Sequence, residues 1–268
     1  MKYHIIINIF IFLFLACNPD FNTNQQDTKY PFNNKEESPN KEESPNKEEN
    51  PNKEENPNKE ENPNQRITTT LLNNLRNLIE QVHADNEKYE KKLQEEPEDQ
   101  YGLLDSFKLL QWRESRGNIR ASDDQYISRR YRKRIYSTLN AIDDNELKNF
   151  SKMIITSNQV HAIFSNLGDL AIIIEDTTHS LYSQKDKLEK LEIPNLKKIT
   201  NLFEQILYTK QIISKTLYKL LLDYQNDENL KTDINKLKSY IQTICRQMNI
   251  KIREAYHIER KMSSIIYQ

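Results

Sequence analysis

From Leu230 to Ile265, near the C-terminal end of the chain, apolar side chains recur at alternating steps of four and three residues. Leu230, Ile234, Leu237, Ile241, Ile244, Met248, Lys251, Ala255, Ile258, Met262 and Ile265 trace this seam, and only Lys251 is not apolar. A heptad pattern of this kind predicts one long helix whose seam meets a partner helix. Cys245, Ile252, Tyr256 and Ile266 widen the apolar surface beyond a single seam. The helix is therefore expected to be covered on two sides, one cover being the body and the other either more of the body or a second copy of the chain. Leu237, Ile241, Ile244, Met248, Ile252 and Ala255 would form such a dimer or ligand-binding face.

Helical spacing also runs upstream. Leu71, Leu75, Leu78, Val82, Tyr89 and Leu93 predict a first helix over residues 69–95, stopped by Pro97. Leu103, Leu104, Phe107, Leu110 and Trp112 predict a short second one, with Gly117 at its C-terminal cap. Ser122-Asp123-Asp124-Gln125 has capping-box spacing and opens a predicted helix to about residue 140. Asp143-Asp144-Asn145-Glu146 repeats the signal ahead of Leu147, Phe150, Ile154 and Ile155. A longer helix is expected over residues 158–191, and Pro194, suited to a first turn, opens another that carries Leu196 through Tyr224.

The periodicity stops short of the N-terminus. Five tandem hexapeptides, KEESPN twice and KEENPN three times, fill residues 35–64 and contain no apolar residue. Nothing there offsets the entropy of ordering, and a Pro in every repeat interrupts helix and ladder alike, so residues 17–66 are expected to be a disordered tether. As a flexible chain, the stretch from Asn18 to Arg66 would span roughly 40 Å on average. Ahead of it, Ile5 to Leu15 is an apolar run with Lys2 and His4 in front, followed by Ala16-Cys17 and then Asn18-Pro19-Asp20. That run is too short to cross a bilayer, for which about 20 residues are needed. It reads as a lipoprotein signal peptide over residues 1–16, with Cys17 as the lipidation site, although Phe14 and Leu15 stand where such signals carry Leu and a small residue.

Composition agrees with the helical reading. The 268 residues include only 3 Gly, and 29% are charged, which suits an all-α, multi-helix bundle over residues 67–268 better than a sheet with many turns. Charge is uneven along the chain. Each hexapeptide carries −1 and residues 1–34 balance to zero, so with a chain total of −1 residues 65–268 carry +4. Besides Cys17 the only cysteine is Cys245; an acylated Cys17 leaves no internal disulfide, and Cys245 reads as a buried, inert thiol.

Little in the chain resembles a catalytic centre. Gly102, Gly117 and Gly168 stand alone, which excludes Gly-rich phosphate loops and dinucleotide fingerprints. His83, His161, His179 and His257 lack a partner at ligand spacing, so no metal site and no cofactor is expected, and no enzymatic activity. One basic cluster stands out: Arg129, Arg130, Arg132, Lys133 and Arg134 place five cations in six positions around Tyr131. Consecutive helical residues lie 100° apart, so the cluster encircles its helix. Either it forms structural ion pairs, or part of it is a contact surface for an acidic protein or a sulfated polysaccharide; nucleic acid is not an expected partner for an extracytoplasmic chain.

The segment Asp99-Gln100-Tyr101-Gly102-Leu103, running through Phe107 to Gln111-Trp112, is followed by the basic helix and Tyr136-Ser137-Thr138-Leu139. Together they resemble a paralogous family of Lyme-disease spirochaete surface lipoproteins that includes the complement-regulator-acquiring protein CspA. The resemblance implies an all-helical fold with a C-terminal helix that dimerises in some members, and exposure on the bacterial outer membrane. For certain members it also implies binding of complement proteins. The chain is accordingly expected to be a lipid-anchored surface protein engaging host proteins such as complement factors. The alternatives are an adhesin for host or vector tissue and an antigenic surface lipoprotein with no dedicated ligand.

Overall fold

The computed structural model describes residues 63–114 and 117–267. The leader, Cys17 and nearly all of the repeats lie outside the described residues. Among the described residues nine α-helices and one hairpin follow in order: α1 (Pro63–Gln94), a 3-10 turn (Gln100–Gly102), α2 (Leu104–Lys108), β1 (Gln111–Glu114) and β2 (Gly117–Arg120). Then come α3 (Tyr126–Thr138), α4 (Asp144–Thr156), α5 (Val160–Ser183), α6 (Lys185–Leu188), α7 (Ile193–Asn226), α8 (Glu228–Thr232) and α9 (Ile234–Ile266).

The helix α1 begins inside the last hexapeptide, earlier than its apolar stripe announces. Pro63 is its first residue, where a missing N–H costs nothing, and Thr68 returns a hydroxyl bond to the Asn64 carbonyl at 2.9 Å. Leu75, Ile79, Val82, Tyr89 and Leu93 bury one face of it against α7 and α3. Helix α9 returns along α7 and also packs on α5. The expected single C-terminal helix is broken once, after Leu230: the Asp233 carboxylate accepts from the Asn235 and Lys236 amides at 3.0 and 3.1 Å and caps a new start. Residues 158–191 likewise divide, into α5 and α6, with Asn158 in a left-handed conformation (φ 54°) closing α4.

Two expectations fail between residues 109 and 125. Trp112 lies in a strand, and Gly117 serves the hairpin turn (φ 126°) rather than capping a helix. The reason is local: within the two strands only Trp112 and Ile119 are apolar, and antiparallel pairing sets them directly opposite each other. Trp112 then packs at a tilt of 52° on Tyr131 of α3, ring centroids 5.5 Å apart. The capping box does not form either. The Asp123 carboxylate accepts from the Arg120 amide at 2.8 Å, closing the hairpin, and α3 starts later, at Tyr126, with no side-chain cap.

The turn before α2 is the tightest place in the fold. Gln100, Tyr101 and Gly102 are consecutive residues with φ of 52°, 56° and 81°, a run that costs non-glycine residues about 1–2 kcal/mol each. Fixed partners hold it. The Gln100 amide donates to the Ser122 carbonyl at 2.9 Å, and the Tyr101 hydroxyl donates to the Lys92 carbonyl at 2.8 Å. Lys92 lies over the Tyr101 ring, 4.4 Å from its centroid. At Gly102 a Cβ would sit 2.6 Å from Lys148 Cβ, so backbone and space both require glycine there. Replacing Gly102 with Ala is expected to destabilise the fold by about 2–4 kcal/mol in urea unfolding. Gly117→Ala, where a Cβ meets nothing within 4 Å, should cost only the strain of its φ, about 1 kcal/mol.

Candidate functional site

All five cations of the basic cluster face an acid. Arg129 reaches Asp124 at 2.9 Å and Lys133 reaches Glu90 at 3.1 Å. Arg130 and Arg134 share Glu175 of α5, at 2.9 and 2.6 Å. Arg132 is the buried member. Its side chain is 2% exposed and clasps Glu96, itself 9% exposed, at 2.7 Å. Its remaining donors go to the Ala121 and Asp123 carbonyls at 2.8 and 2.7 Å. Each cation of the expected basic contact surface is therefore paired, but only Arg132 is buried, and Arg129 and Arg130 keep 36% and 45% of their side chains exposed.

The electrostatics follow from this packing. Burial raises the Tyr136 hydroxyl pKa, and its hydrogen bond to Glu96 raises it further, so it stays a neutral donor beside the pair. For Glu175, burial works against ionisation. The hydrogen bonds and charges of Arg134 and Arg130 outweigh it and lower the carboxyl below its ordinary 4.5.

The expected dimer or ligand face is also occupied. Leu237, Ile241, Ile244, Met248, Ile252 and Ala255 are all buried, none more than 6% exposed, against α7 and α5 of the same chain. The seam is completed by the body, so a second copy could not use it without opening the bundle. Cys245 is buried beside it, and desolvation pushes its thiol up to about 11. What α9 leaves outside is its opposite face, with Arg246, Ile250, Arg253, Tyr256, His257 and Arg260 exposed. Alongside runs an open groove of about 660 Å³ between α7 and α9. Sequence reasoning, drawn to the apolar seam, passed over this polar face.

Among the described residues no group of His, Cys, Asp or Glu could hold a metal ion, and no helix is long and apolar enough to cross a membrane. Fold and site together define an all-helical scaffold whose chemistry lies on its outer faces. The chain belongs to the Borrelia Bbcrasp-1 domain-containing family, whose model matches residues 90–267. It is similar to BSE31 of Borrelia (Borreliella) spielmanii, with 47% identity and a TM-score of 0.69 over 74% of this chain and 99% of that one. Two more distant structures share the fold. BSA64 of Borrelia spielmanii is 19% identical, with a TM-score of 0.63 over 75% and 98% of the two chains. The outer surface protein BBA65 of Borrelia burgdorferi is 18% identical, with a TM-score of 0.59 over 69% and 97%. No curated protein matches the chain.

Two outcomes test the charge network. Arg132→Met strands the Glu96 carboxylate and should lose about 3–5 kcal/mol of unfolding free energy, while Arg132→Met combined with Glu96→Met should recover much of that loss. If both variants unfold at the same urea concentration, the pair is not coupled. For Glu175 the folded pKa lies below the unfolded one, so its contribution is complete above about pH 5 and is lost as pH falls through the lowered folded value. Glu175→Gln should therefore flatten the fall in melting temperature between about pH 5 and pH 3.

Proposed function

We propose that this chain is a lipid-anchored binding protein displayed on the bacterial outer membrane, which engages host proteins such as complement factors through its helical body. Acylation of Cys17 would supply the anchor, and the hexapeptide tether would hold the body away from the lipid. Membership of the Bbcrasp-1 domain family supports surface display, as does similarity to proteins named outer surface proteins. On this reading it performs no catalysis, and its partner meets a surface.

The observation that carries a protein partner is the exposure of large aromatic side chains at one end of the bundle. Tyr182, after the last buried turn of α5, is 63% exposed, and Tyr267, just past α9, is 57% exposed. His83 of α1 meets the Tyr182 ring edge-on at 5.8 Å. Ser180 touches the Tyr267 hydroxyl at 3.5 Å, and Lys187 lies 4.8 Å from that ring's centroid. Tyrosine combines a broad apolar ring with a polar tip and is enriched where proteins meet; Lys and Glu are depleted there. Three helices and the chain end thus present rigid anchors suited to a folded partner.

The test is capture from host serum by the intact chain, washed at physiological and at high salt. One complement component should be retained at both, because anchoring by aromatic burial is little screened. Tyr182→Ala with Tyr267→Ala should weaken retention about tenfold or more, since hot-spot truncations cost about 2 kcal/mol each. Absence of any saturable serum partner, with the chain folded, would favour the antigenic role.

A further inference from the structure

A second surface, independent of the tyrosine end, is written on the outer face of α9. Arg246, Arg253 and Arg260 follow one another at intervals of seven residues, and all three are exposed. Seven residues are nearly two turns, so the guanidinium groups share a face, about 10.5 Å apart and about 21 Å end to end. Lys261 and His257 stand beside the row, also exposed. On the neighbouring helix, exposed Lys198 shares the α7 stripe of Gln205, which lines the groove.

These cations are unneutralised, unlike those of α3. Among the described residues none of the three arginines nor Lys261 enters an ion pair; Arg246 has a 3.4 Å contact to the Gln242 carbonyl, and Arg260 lies 5.9 Å from the Tyr256 ring centroid. Sequence explains why. The positions three and four residues to either side of each arginine hold Gln, Thr, Asn, Ile, Tyr, His or Ser, and never an acid. The two acids nearby are engaged elsewhere: Glu254 meets Lys251 at 2.8 Å, and Glu259 accepts from Ser263 at 3.0 Å.

We propose that this ridge docks a sulfated polysaccharide. Arginine forks match the paired oxygens of a sulfate ester and keep their charge at every accessible pH. Evenly spaced cations along one helix face fit a linear polymer whose anions also repeat, whereas acids on a folded protein follow no such period. The groove beside the row offers Gln205, Glu254, His257, Arg260, Lys261 and Ser264 around a single apolar Ile258, with the Glu254 carboxylate paired to Lys251, a lining that hydrogen-bonds sugar hydroxyls and gives a protein anchor little to bury. Tyr256, 49% exposed at the edge of the row, supplies a flat ring for a sugar face.

The experiment uses the intact chain with heparin as the sulfated probe, hyaluronan as a carboxylate-only polymer and polyglutamate as an acidic polypeptide. Heparin binding at physiological ionic strength is expected, falling steeply as salt rises, with hyaluronan and polyglutamate bound at least about tenfold more weakly. Arg246→Glu, Arg253→Glu and Arg260→Glu together should reduce heparin affinity about tenfold or more. Lys152→Glu, Lys185→Glu and Lys190→Glu, the same charge change at exposed positions elsewhere, should leave it within about twofold. Circular dichroism and melting temperature establish that both triples fold. No heparin binding by the intact chain, equal losses in the two triples, or polyglutamate bound as tightly as heparin would each overturn the proposal.

Discussion

A guanidinium removed from water has to have its N–H groups satisfied, and Arg132 does this where several chain segments meet. Four of its five N–H groups are engaged, by both oxygens of Glu96 and by the carbonyls of Ala121 and Asp123. Glu96 also accepts from Tyr136, whose hydroxyl lies 3.3 Å from the Gln100 carbonyl. One charge thus fixes the end of α1, the left-handed turn, the hairpin and α3 relative to one another. Removing either partner would leave a buried charge without its counterion, which costs more than the intact pair contributes. The left-handed residues persist for the same reason: their backbone strain is held by a polar framework that has no alternative arrangement.

The other half of the fold is organised by apolar burial. The α9 seam, α7 and α5 enclose Leu, Ile and Phe side chains that are almost wholly buried, including Phe203, Ile206, Leu217 and Ile241 at 0% exposure. Each such side chain contributes roughly 2 kcal/mol by leaving water. Among the described residues the seam itself is closed by the body of the same chain. The surfaces proposed for recognition therefore lie on the outer faces, tyrosines at one end and arginines along α9.

Much of this was legible in the sequence. The apolar periods of α7 and α9 and the Pro near the start of α7 define those helices because packing there obeys a local rule. The hairpin was not legible, since Trp112 and Ile119 offer too few apolar positions to fix a period, and their pairing across a turn is not a helical signal. The expected capping box shows the same limit: Asp123 was free to bond the Arg120 amide, and a competing local bond took it. The left-handed turn could be suspected from Gly102 alone, but not its extension to Gln100 and Tyr101, which depends on Ser122 and Lys92. The family resemblance carried by residues 99–112 and 129–139 is shown by the match over residues 90–267.

The two groups of cations differ for one reason. Four of the five on α3 pair with acids about 40 residues away in the chain, Glu90, Glu96 and Glu175, which no spacing rule could foretell; Arg129 alone of the five meets a nearby acid, Asp124. Those of α9 have no acid three or four residues away, their sequence neighbours Glu254 and Glu259 bond Lys251 and Ser263, and the packed side of their helix is apolar. The density of a charge run is therefore a poor guide to a binding surface. Five cations in six positions end paired with carboxylates, one of them buried, while three arginines spread over fifteen residues remain without an ion pair and open to solvent.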